Sequence, residues 1–312
     1  MKRLLLLLLL VSCTRLEYTS QVEVRLELPV GMSKAADPPE NRIEDLNILV
    51  FNCEGELEES RYIPPREYDG KTAFNMPLPT GAPLTIAACA NVGRQLKAGS
   101  LDELKTLRHS LAYPDEYSRG IPLSGLVRVC LLPGEKTVRL PLERLMARVS
   151  VSVDRRALDK DVTIRFVSVK VGNCPRSATI FAPSKAERHE DCFPGGFAKT
   201  WNEADALNVD SSPGVSGEVS VYLMENAQGA LPCEGKGWRG SIPRGEMQSV
   251  CSYVELSAEY HSPTFSTPPE EYVTFRFYIG SSPGNFDALR GRHYHFTVRP
   301  CADGLSGAWK GD

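Results

Sequence analysis

Hydrophobic and polar residues alternate with a period of two along much of this chain. The clearest runs are Gln21–Leu28, Ala147–Val153, Tyr272–Ile279 and His293–Val298, in which every second residue is apolar. Successive side chains of a β-strand point to opposite faces of the sheet, whereas the residues on one helical face recur every three to four positions. These runs therefore predict strands that bury one face and leave the other in solvent.

Three further segments predict strands of a different kind. Ile43–Asn52 and Leu84–Asn91 are apolar on both faces, as strands in the interior of a β-sandwich are. In Val162–Val171 the apolar phase slips by one residue after Phe166. A β-bulge or a change of sheet at that point would explain the slip.

One segment has the pattern of a helix. Ser100 and Glu103 have the spacing of a capping box, and leucines recur at positions 101, 104, 107 and 111 before Tyr113-Pro114. This combination predicts a helix whose apolar side carries all four leucines.

Elsewhere, 25 glycines and 23 prolines divide the chain into segments that are too short for helices. Many short strands separated by such turns indicate an all-β fold built from β-sandwiches rather than an α/β fold. We predict two tandem β-sandwich domains, residues 13–145 and 146–312, because a new alternating strand begins just after Leu145. The second domain is expected to carry a long loop, residues 172–215.

The start of the chain has the organisation of an export signal. Lys2 and Arg3 precede seven leucines, and the run ends at Val11-Ser12-Cys13. A membrane-spanning helix needs roughly 20 apolar residues, so this shorter run is predicted to be a signal peptide, residues 1–12. Its end resembles the lipobox of bacterial lipoproteins, which implies a lipid on Cys13 and a mature chain that begins there. A plain secretory signal that contains a cysteine is the alternative.

Composition argues against a nucleic-acid-binding role. The formal net charge is −3, and it becomes −5 when Lys2 and Arg3 leave with the signal peptide. No basic cluster is interleaved with aromatic residues, so no nucleic-acid partner is expected. No second long apolar run exists, so lipid on Cys13 would be the membrane attachment. Each buried methylene contributes about 0.8 kcal/mol, so two or three acyl chains anchor a protein stably whereas one binds reversibly.

Eight cysteines follow Cys13, and in an exported protein they permit up to four disulfides. They can pair in about 105 ways, and their spacing is not that of a zinc site. Cys174 and Cys192 flank a polar, proline-containing segment, so they are the candidate disulfide, which would contribute about 3 kcal/mol. Buried thiols are the alternative for the cysteines in or beside apolar strand patterns, which are Cys53, Cys89, Cys130 and Cys251.

The sequence offers little for catalysis or metal binding. His293 and His295 share one face of a predicted strand, but without a third nearby ligand a solvated polar face is the better interpretation. The segment His189–Cys192 resembles a ligand cluster, but it lies in the predicted loop and favours a charged turn. No nucleophile elbow, zinc-protease helix or phosphate-binding glycine loop occurs. The chain is therefore predicted not to be an enzyme, with no catalytic residue, no metal and no cofactor.

Five segments that span nearly the whole mature chain carry a family resemblance. They are Ile43–Asn52 with Glu54–Leu57, the strand Leu84–Asn91 that ends in Ala-Asn, the strand Leu145–Val153, the Glu-Asn-x-Gln-Gly turn in Tyr222–Gly229, and a closing hairpin made of Phe277–Gly280, Asn285-Phe286 and Arg290–His295. In this order they resemble the fimbrial subunit family of type V pili, and in particular its FimB/Mfa-type anchor and accessory subunits.

The resemblance implies two transthyretin-like β-sandwiches in a surface-exposed lipoprotein of the Gram-negative outer membrane, held by the lipid on Cys13. It also implies a role in the fimbrium and in cell adhesion, with other fimbrial subunits as partners and no small-molecule substrate. Subunits of these pili join by strand complementation, in which an extended segment of one chain completes a sheet of the next. An open sheet edge over an apolar groove suits that role, because main-chain hydrogen bonds supply the affinity.

The short distance between Cys13 and the first strand favours an anchor or accessory subunit over a shaft subunit. Shaft subunits of the family carry a pro-segment after the lipid cysteine, and an Arg- or Lys-specific protease removes it together with the lipid. Here the alternating strand begins at Gln21 and already includes Arg25. Lipid and strand are therefore both predicted to be retained. The tail after Val298 contains a proline and glycines and would be a poor donor strand.

Two other functions remain open at this point. A surface carbohydrate-binding lipoprotein would also be built from β-sandwiches and would need exposed aromatic residues. The three tryptophans, Trp201, Trp238 and Trp309, all lie in predicted loops or in the tail. A hydrolase is the second alternative, although no residue pattern points to one.

Overall fold

A computed structural model of the chain describes residues 18–34, 39–117, 119–132, 134–200, 214, 218–235, 241–264 and 272–302. The predicted signal peptide, the candidate lipid site Cys13 and the three tryptophans lie outside the described residues. Within the described ranges, no helix is long and apolar enough to cross a membrane.

The chain forms short strands from its first described residue. Up to Arg144 they are, in chain order, β1 Tyr18–Glu27, β2 Leu46–Phe51, β3 Leu57–Ile63, β4 Ala73–Thr80, β5 Pro83–Ala90, β6 Arg108–Ser110, β7 Leu123–Cys130, β8 Thr137–Pro141 and β9 Glu143–Arg144. The helices described in this part are α1, Leu101–Thr106, and a 3-10 helix, Pro39–Asn41.

Two sheets of this part pack face to face around one apolar core. The larger sheet has the strand order β3-β2-β5-β7-β9, and the smaller has the order β4-β1-β8. β2 and β5 lie inside the larger sheet, which explains why their sequences are apolar on both faces. The core draws Val22, Val24, Phe74, Met76, Val138 and Leu140 from the smaller sheet, and Leu46, Ile48, Val50, Leu84 and Ile86 from the larger one.

After Leu145 the chain again forms strands. They are β10 Met146–Val153, β11 Ala157–Leu158, β12 Thr163–Gly172, β13 Cys174–Pro175, β14 Ser177–Thr179, β15 Cys192–Phe193, β16 Phe197–Thr200, β17 Val219–Met224, β18 Asn226–Ala230, β19 Cys233–Glu234, β20 Ile242–Pro243, β21 Tyr253–His261, β22 Tyr272–Tyr278, β23 Asn285–Ala288, β24 His293–Val298 and β25 Cys301–Ala302. Two 3-10 helices, His189–Asp191 and Gly245–Ser249, lie between them.

Two sheets of this second part also share a core. One has the strand order β17-β10-β24 and the other the order β16-β12-β21-β22. The apolar residues of the alternating strands face that core. On β10 they are Ala147, Val149, Val151 and Val153, each at most 1% exposed. The predicted all-β sandwich fold is therefore confirmed.

The phase slip that the sequence shows after Phe166 is a β-bulge. Phe166 and Ser168 lie opposite consecutive residues of β21, so Val167 is the inserted residue. The bulge returns Val169 and Val171 to the core that Phe166 faces.

The helix is shorter than its leucine spacing indicated. Ser100 caps α1 by accepting a hydrogen bond from the Glu103 amide at 3.2 Å, but Glu103 Oε2 accepts from the Gly99 amide rather than from that of Ser100. The prediction of helix beyond Thr106 was wrong, because residues 108–110 form β6 and pair with β14. The last two leucines of the pattern still pack on the core, from extended backbone.

Two further sequence predictions are corrected. β1 begins at Tyr18, before the alternating pattern at Gln21, because its main chain pairs with β4 beyond that pattern. The predicted loop 172–215 contains short strands as far as residue 200, since β13 to β16 lie in it and β16 pairs with β12. Most of its remainder lies outside the described residues.

The domain boundary near Leu145 stays a prediction. Leu49 and Phe51 of β2 belong to the same hydrophobic cluster as the core residues of β10. β6 also pairs with β14 across the proposed boundary. The two parts of the chain are therefore joined by both apolar packing and main-chain hydrogen bonds.

Candidate functional site

β1 is the central strand of the smaller sheet in the N-terminal part. Val22, Val24 and Leu26 are between 0% and 3% exposed and point into the core, whereas Gln21 on the other face is exposed. The alternation that the sequence shows is thus a division between a buried face and a solvent face.

β1 joins two strands that do not pair with each other. It is antiparallel to β4 over eight positions, from Tyr18 opposite Thr80 to Arg25 opposite Ala73. It is parallel to β8 over five positions, from Glu23 opposite Thr137 onward. β1 therefore fills a groove whose walls are β4 and β8, and without β1 both walls would present unpaired main-chain groups.

Arg25 is held within this pairing. Its guanidinium forms an ion pair with Glu23 at 2.7 Å on the solvent face, and its main chain lies between Ala73 of β4 and Arg139 of β8. The side chain is accessible, but the peptide bond beside it belongs to a two-sided ladder. Cleavage there requires β1 to leave its sheet first.

The outer edge of β4 contains prolines that disfavour pairing with a further strand. Pro77 and Pro79 lie in this edge strand, opposite Gln21 and Thr19 of β1. Proline has no amide hydrogen to donate, and natural sheets use it to prevent edge-to-edge association. β4 is therefore a poor place for another chain to add a strand.

The strand that ends in Ala90-Asn91 closes a network of hydrogen bonds. Asn91 lies in the left-handed region with a φ of 60°, which asparagine tolerates better than most residues. Its Oδ1 accepts from the Glu44 amide at 2.8 Å, and its Nδ2 donates to the carbonyls of Arg42 and Ile121 at 2.7 and 3.0 Å. This family-like residue therefore has a structural role.

The Glu-Asn-x-Gln-Gly segment contains the main ion pair of the C-terminal part. Glu225 and Arg290 are 4% and 10% exposed, and Glu225 Oε2 lies 2.6 Å from Arg290 Nη2. Arg290 also donates to the carbonyls of Thr179, Ile180 and Ala182, so it fastens the segment after β14 to the sheet. The pairing of Glu225 with Arg290 was not predicted from the sequence, although the motif marked Glu225.

The same motif is a strand rather than the turn that the resemblance indicated, since β18 begins at Asn226. Asn226 accepts from the Ala186 amide at 3.0 Å and donates to the Val250 carbonyl at 2.7 Å. Gln228 donates to the Ala186 carbonyl at 2.6 Å. The motif therefore links its own strand to the segments around Ala186 and Val250, and its polar side chains are buried.

The outer face of the sheet β17-β10-β24 is polar. Ser150 Oγ lies 2.6 Å from His293 Nε2 and 2.8 Å from Ser220 Oγ. Burial lowers the pKa of His293, and the positive charge of Arg148 lowers it further. His295 lies 3.5 Å from Glu218 instead. In the described part of the chain, no three His, Cys, Asp or Glu residues form a group that could hold a metal ion.

The candidate disulfide partners lie on paired strands. Cys174 of β13 is opposite Phe193 of β15, and Cys192 is opposite Pro175. Opposite residues share a face and consecutive residues alternate, so the two thiols point to opposite faces of this ribbon. Burial raises the pKa of Cys192 to about 12, which makes it a poor nucleophile. The disulfide stays a prediction that this register does not favour.

Buried thiols were the alternative for four other cysteines. Cys89 and Cys251 are buried, as that alternative required, whereas Cys53 and Cys130 are exposed. Cys130 is the last residue of β7, and Cys53 lies in the turn after β2, so neither reaches the core.

Comparison with known proteins supports the fold and part of the family resemblance. Residues 21–150 match a family model described as major fimbrial subunit protein (FimA). No curated protein matches the sequence significantly. The matched segment contains β1 from Gln21 onward and both walls of its groove.

Several solved structures share the fold over nearly the whole chain. A fimbrilin (FimA) from Porphyromonas gingivalis W83 has a TM-score of 0.56 and 13% identity, with 90% of each chain covered. The tip fimbrial protein Mfa3 from Porphyromonas gingivalis has a TM-score of 0.54 and 13% identity over 90% of this chain and 95% of that chain. A fimbrial assembly protein from Parabacteroides distasonis has a TM-score of 0.50 and 12% identity over 91% of this chain and 93% of that chain.

The narrower assignment to FimB/Mfa-type anchor subunits stays a prediction, as do the lipid on Cys13 and the carbohydrate-binding alternative. Over residues 21–150 this chain matches the FimA-type family of major fimbrial subunits, and nearly its whole length has the fimbrilin fold.

Proposed function

We propose that this chain is a subunit of a cell-surface fimbrium, and that it serves as an anchor or accessory subunit held to the outer membrane by lipid on Cys13. The observation that carries the proposal is the position of β1. It fills the centre of a sheet in the part of the chain that matches the fimbrial family. Other fimbrial subunits are the proposed partners.

We expect β1 to remain in the mature protein. Proteases cut segments that leave the folded structure, whereas the main chain at Arg25 is paired on both sides. Burying a valine or leucine side chain contributes roughly 1.5–3 kcal/mol, and β1 buries Val22, Val24 and Leu26. Loss of the strand would therefore cost several kcal/mol and expose the groove. Retention of β1 keeps the lipid and the folded domain on one chain.

With β1 in place, a partner strand has to add at an outer edge, and β22 is the best suited. Among the described strands it pairs with β21 alone, and its core-facing Val273 and Phe275 are only half-buried. Tyr272 is 52% exposed. An added strand would cover Tyr272 and Val273 at the start of β22. By contrast, the edge strand β3 carries charged residues that disfavour pairing.

Intact-mass spectrometry of the protein purified from its outer membrane tests the anchor role. The expected product begins at an acylated Cys13 and contains all of β1. Cys13→Ala is the matched control, which should lose the acyl mass and leave the membrane fraction. An unmodified amino terminus at or beyond Arg25 would contradict the anchor role and indicate a shaft subunit.

Site-specific photo-crosslinking tests the partner edge. A photoreactive phenylalanine analogue at Tyr272 should capture a fimbrial subunit in cells that assemble fimbriae. The same analogue at Tyr113, which is 53% exposed, is the matched control and should capture none. Equal capture at the two positions would refute β22 as the edge, and no fimbrial subunit at either position would count against the fimbrial role.

A further inference from the structure

A cavity of about 440 Å³ lies where the loop after β1 meets the polar face of β10. Such a volume is within the range of roughly 300–1,000 Å³ that is typical of small-molecule sites. Its lining comes from both parts of the chain and consists of Val30, Asn41, Arg144, Met146, Arg148, Tyr222, Gly291, Arg292 and His293. None of these residues belongs to the groove of β1.

The cavity is rich in positive charge. Three of its lining residues are arginines, and no acidic residue lines it. Arg148 is offset by Glu218 at 3.0 Å. Among the described residues, neither Arg144 nor Arg292 has a carboxylate within ion-pair distance. Arg144 is partly buried and Arg292 is exposed, so the lining carries a net positive charge that a bound anion would neutralise.

The hydrogen-bond donors of Arg144 are only partly satisfied among the described residues. Its Nη2 donates to Asn41 Oδ1 at 3.2 Å and to the Val30 carbonyl at 3.4 Å. Its Nε is buried, and no acceptor for it lies among the described residues. Burial lowers the pKa of Arg144, against an opposing effect of Tyr222 and with a smaller contribution from the charge of Arg148. A guanidinium has five N–H donors, and only Nη2 of Arg144 has acceptors among the described residues, so the group has capacity left for another acceptor.

The sheet register places the other polar groups of the cavity in one row. Tyr222 of β17 and His293 of β24 both lie directly opposite Arg148 of β10. The Tyr222 ring is fixed by an edge-to-face contact with Tyr117, with 5.6 Å between ring centroids. The row is therefore preorganised, with an aromatic wall next to the guanidinium groups.

We propose that this cavity binds a small ligand through an oxyanion, a carboxylate or phosphate group, held by Arg144 and Arg292. Guanidinium groups suit these anions because their planar N–H donors match two oxygens at once. The exposed side chain of Val30 and the accessible edge of Tyr222 supply the less polar part of the lining. Two sources share this chemistry, an acidic monosaccharide and free inorganic phosphate.

Isothermal titration calorimetry of the purified chain tests the proposal, with glucuronate, inorganic phosphate and glucose as probes. Glucuronate should bind, phosphate should compete with it, and glucose should not bind measurably. Affinity should fall as salt is raised. Arg292→Ala should weaken binding about tenfold or more, because it removes a charge-assisted hydrogen bond. Arg128→Ala, an exposed arginine on β7, is the matched control and should change nothing.

The outcomes separate the sources and leave the proposal open to refutation. Binding of phosphate without glucuronate would assign the site to an inorganic anion. Binding of glucose as tight as glucuronate, or an equal loss in Arg292→Ala and Arg128→Ala, would overturn the oxyanion site. Absence of binding by both anions would overturn it as well. Arg292 is exposed, so a thermal melt of its variant should match wild type and rule out misfolding as the cause.

Discussion

Asp45 should make this protein less stable as the pH rises from acid to neutral. Its carboxyl group is 2% exposed, and its Oδ2 accepts from the Gly93 amide at 3.0 Å. No hydrogen-bond partner for Oδ1 lies among the described residues. Burial outweighs the amide hydrogen bonds and raises the pKa of Asp45 from 3.8 to about 6. The folded state therefore holds this proton more tightly than the unfolded state does.

The sign and size of the effect follow from proton linkage. Stabilisation by the protonated Asp45 is complete well below pH 3.8 and is lost as the pH rises through about 6. A shift of about two pKa units corresponds to about 3 kcal/mol. About half of that should be lost by about pH 5, and nearly all of it by about pH 7.

Urea unfolding over this pH range measures the effect. Asn at position 45 can still accept from the Gly93 amide but cannot ionise. Relative to wild type, Asp45→Asn should therefore gain about 2 kcal/mol between about pH 4 and about pH 7. Asp102→Asn, whose aspartate side chain is 95% exposed on α1, is the matched control and should follow wild type. Parallel pH curves for Asp45→Asn and wild type would show that Asp45 does not titrate with a raised pKa in the folded state.

Three other substitutions have definite expectations. Glu225→Ala leaves Arg290 buried without its carboxylate, so urea denaturation should show a loss of about 3–5 kcal/mol in the free energy of unfolding. Asn91→Gly keeps the left-handed backbone but removes three hydrogen bonds. The same assay should show a loss of about 3 kcal/mol in the free energy of unfolding. An unchanged urea midpoint would mean that these hydrogen bonds do not stabilise the fold. Val24→Asp buries an unpaired charge beneath β1 and should abolish cooperative thermal unfolding, whereas Gln21→Asp on the exposed face should leave the melting temperature within a few degrees of wild type.

Two of the motifs that carry the family resemblance form hydrogen-bond networks. Asn91 joins three backbone segments, and Glu225 with Asn226 joins several more. The sequence motifs indicate that these polar side chains have specific partners, but those partners lie far away in the sequence. The sequence therefore marked these residues and could not say whether they bind a ligand or hold the fold.

The length of the helix and the directions of two cysteine side chains depend on contacts that local sequence patterns do not contain. The leucine spacing after Ser100 continues past the end of α1, but the helix does not. Residues 108–110 instead form main-chain hydrogen bonds with β14, which a helical conformation would not allow. Cys174 and Cys192 are well separated along a polar segment, yet the register of β13 and β15 turns their side chains apart. For the helix, a tertiary pairing overrode the local pattern, whereas the disulfide stays a prediction that this register does not favour.

The order of residues was enough to predict the alternating strands, the phase slip after Phe166 and the all-β class, because the alternation of side chains between two faces is a property of neighbouring residues. The packing of the folded chain made that slip a bulge at Val167, placed β1 between β4 and β8, brought Glu225 to Arg290, and gathered three arginines around one cavity. Those arrangements join residues far apart in the chain. They depend on how whole sheets pack, and no short-range period encodes that.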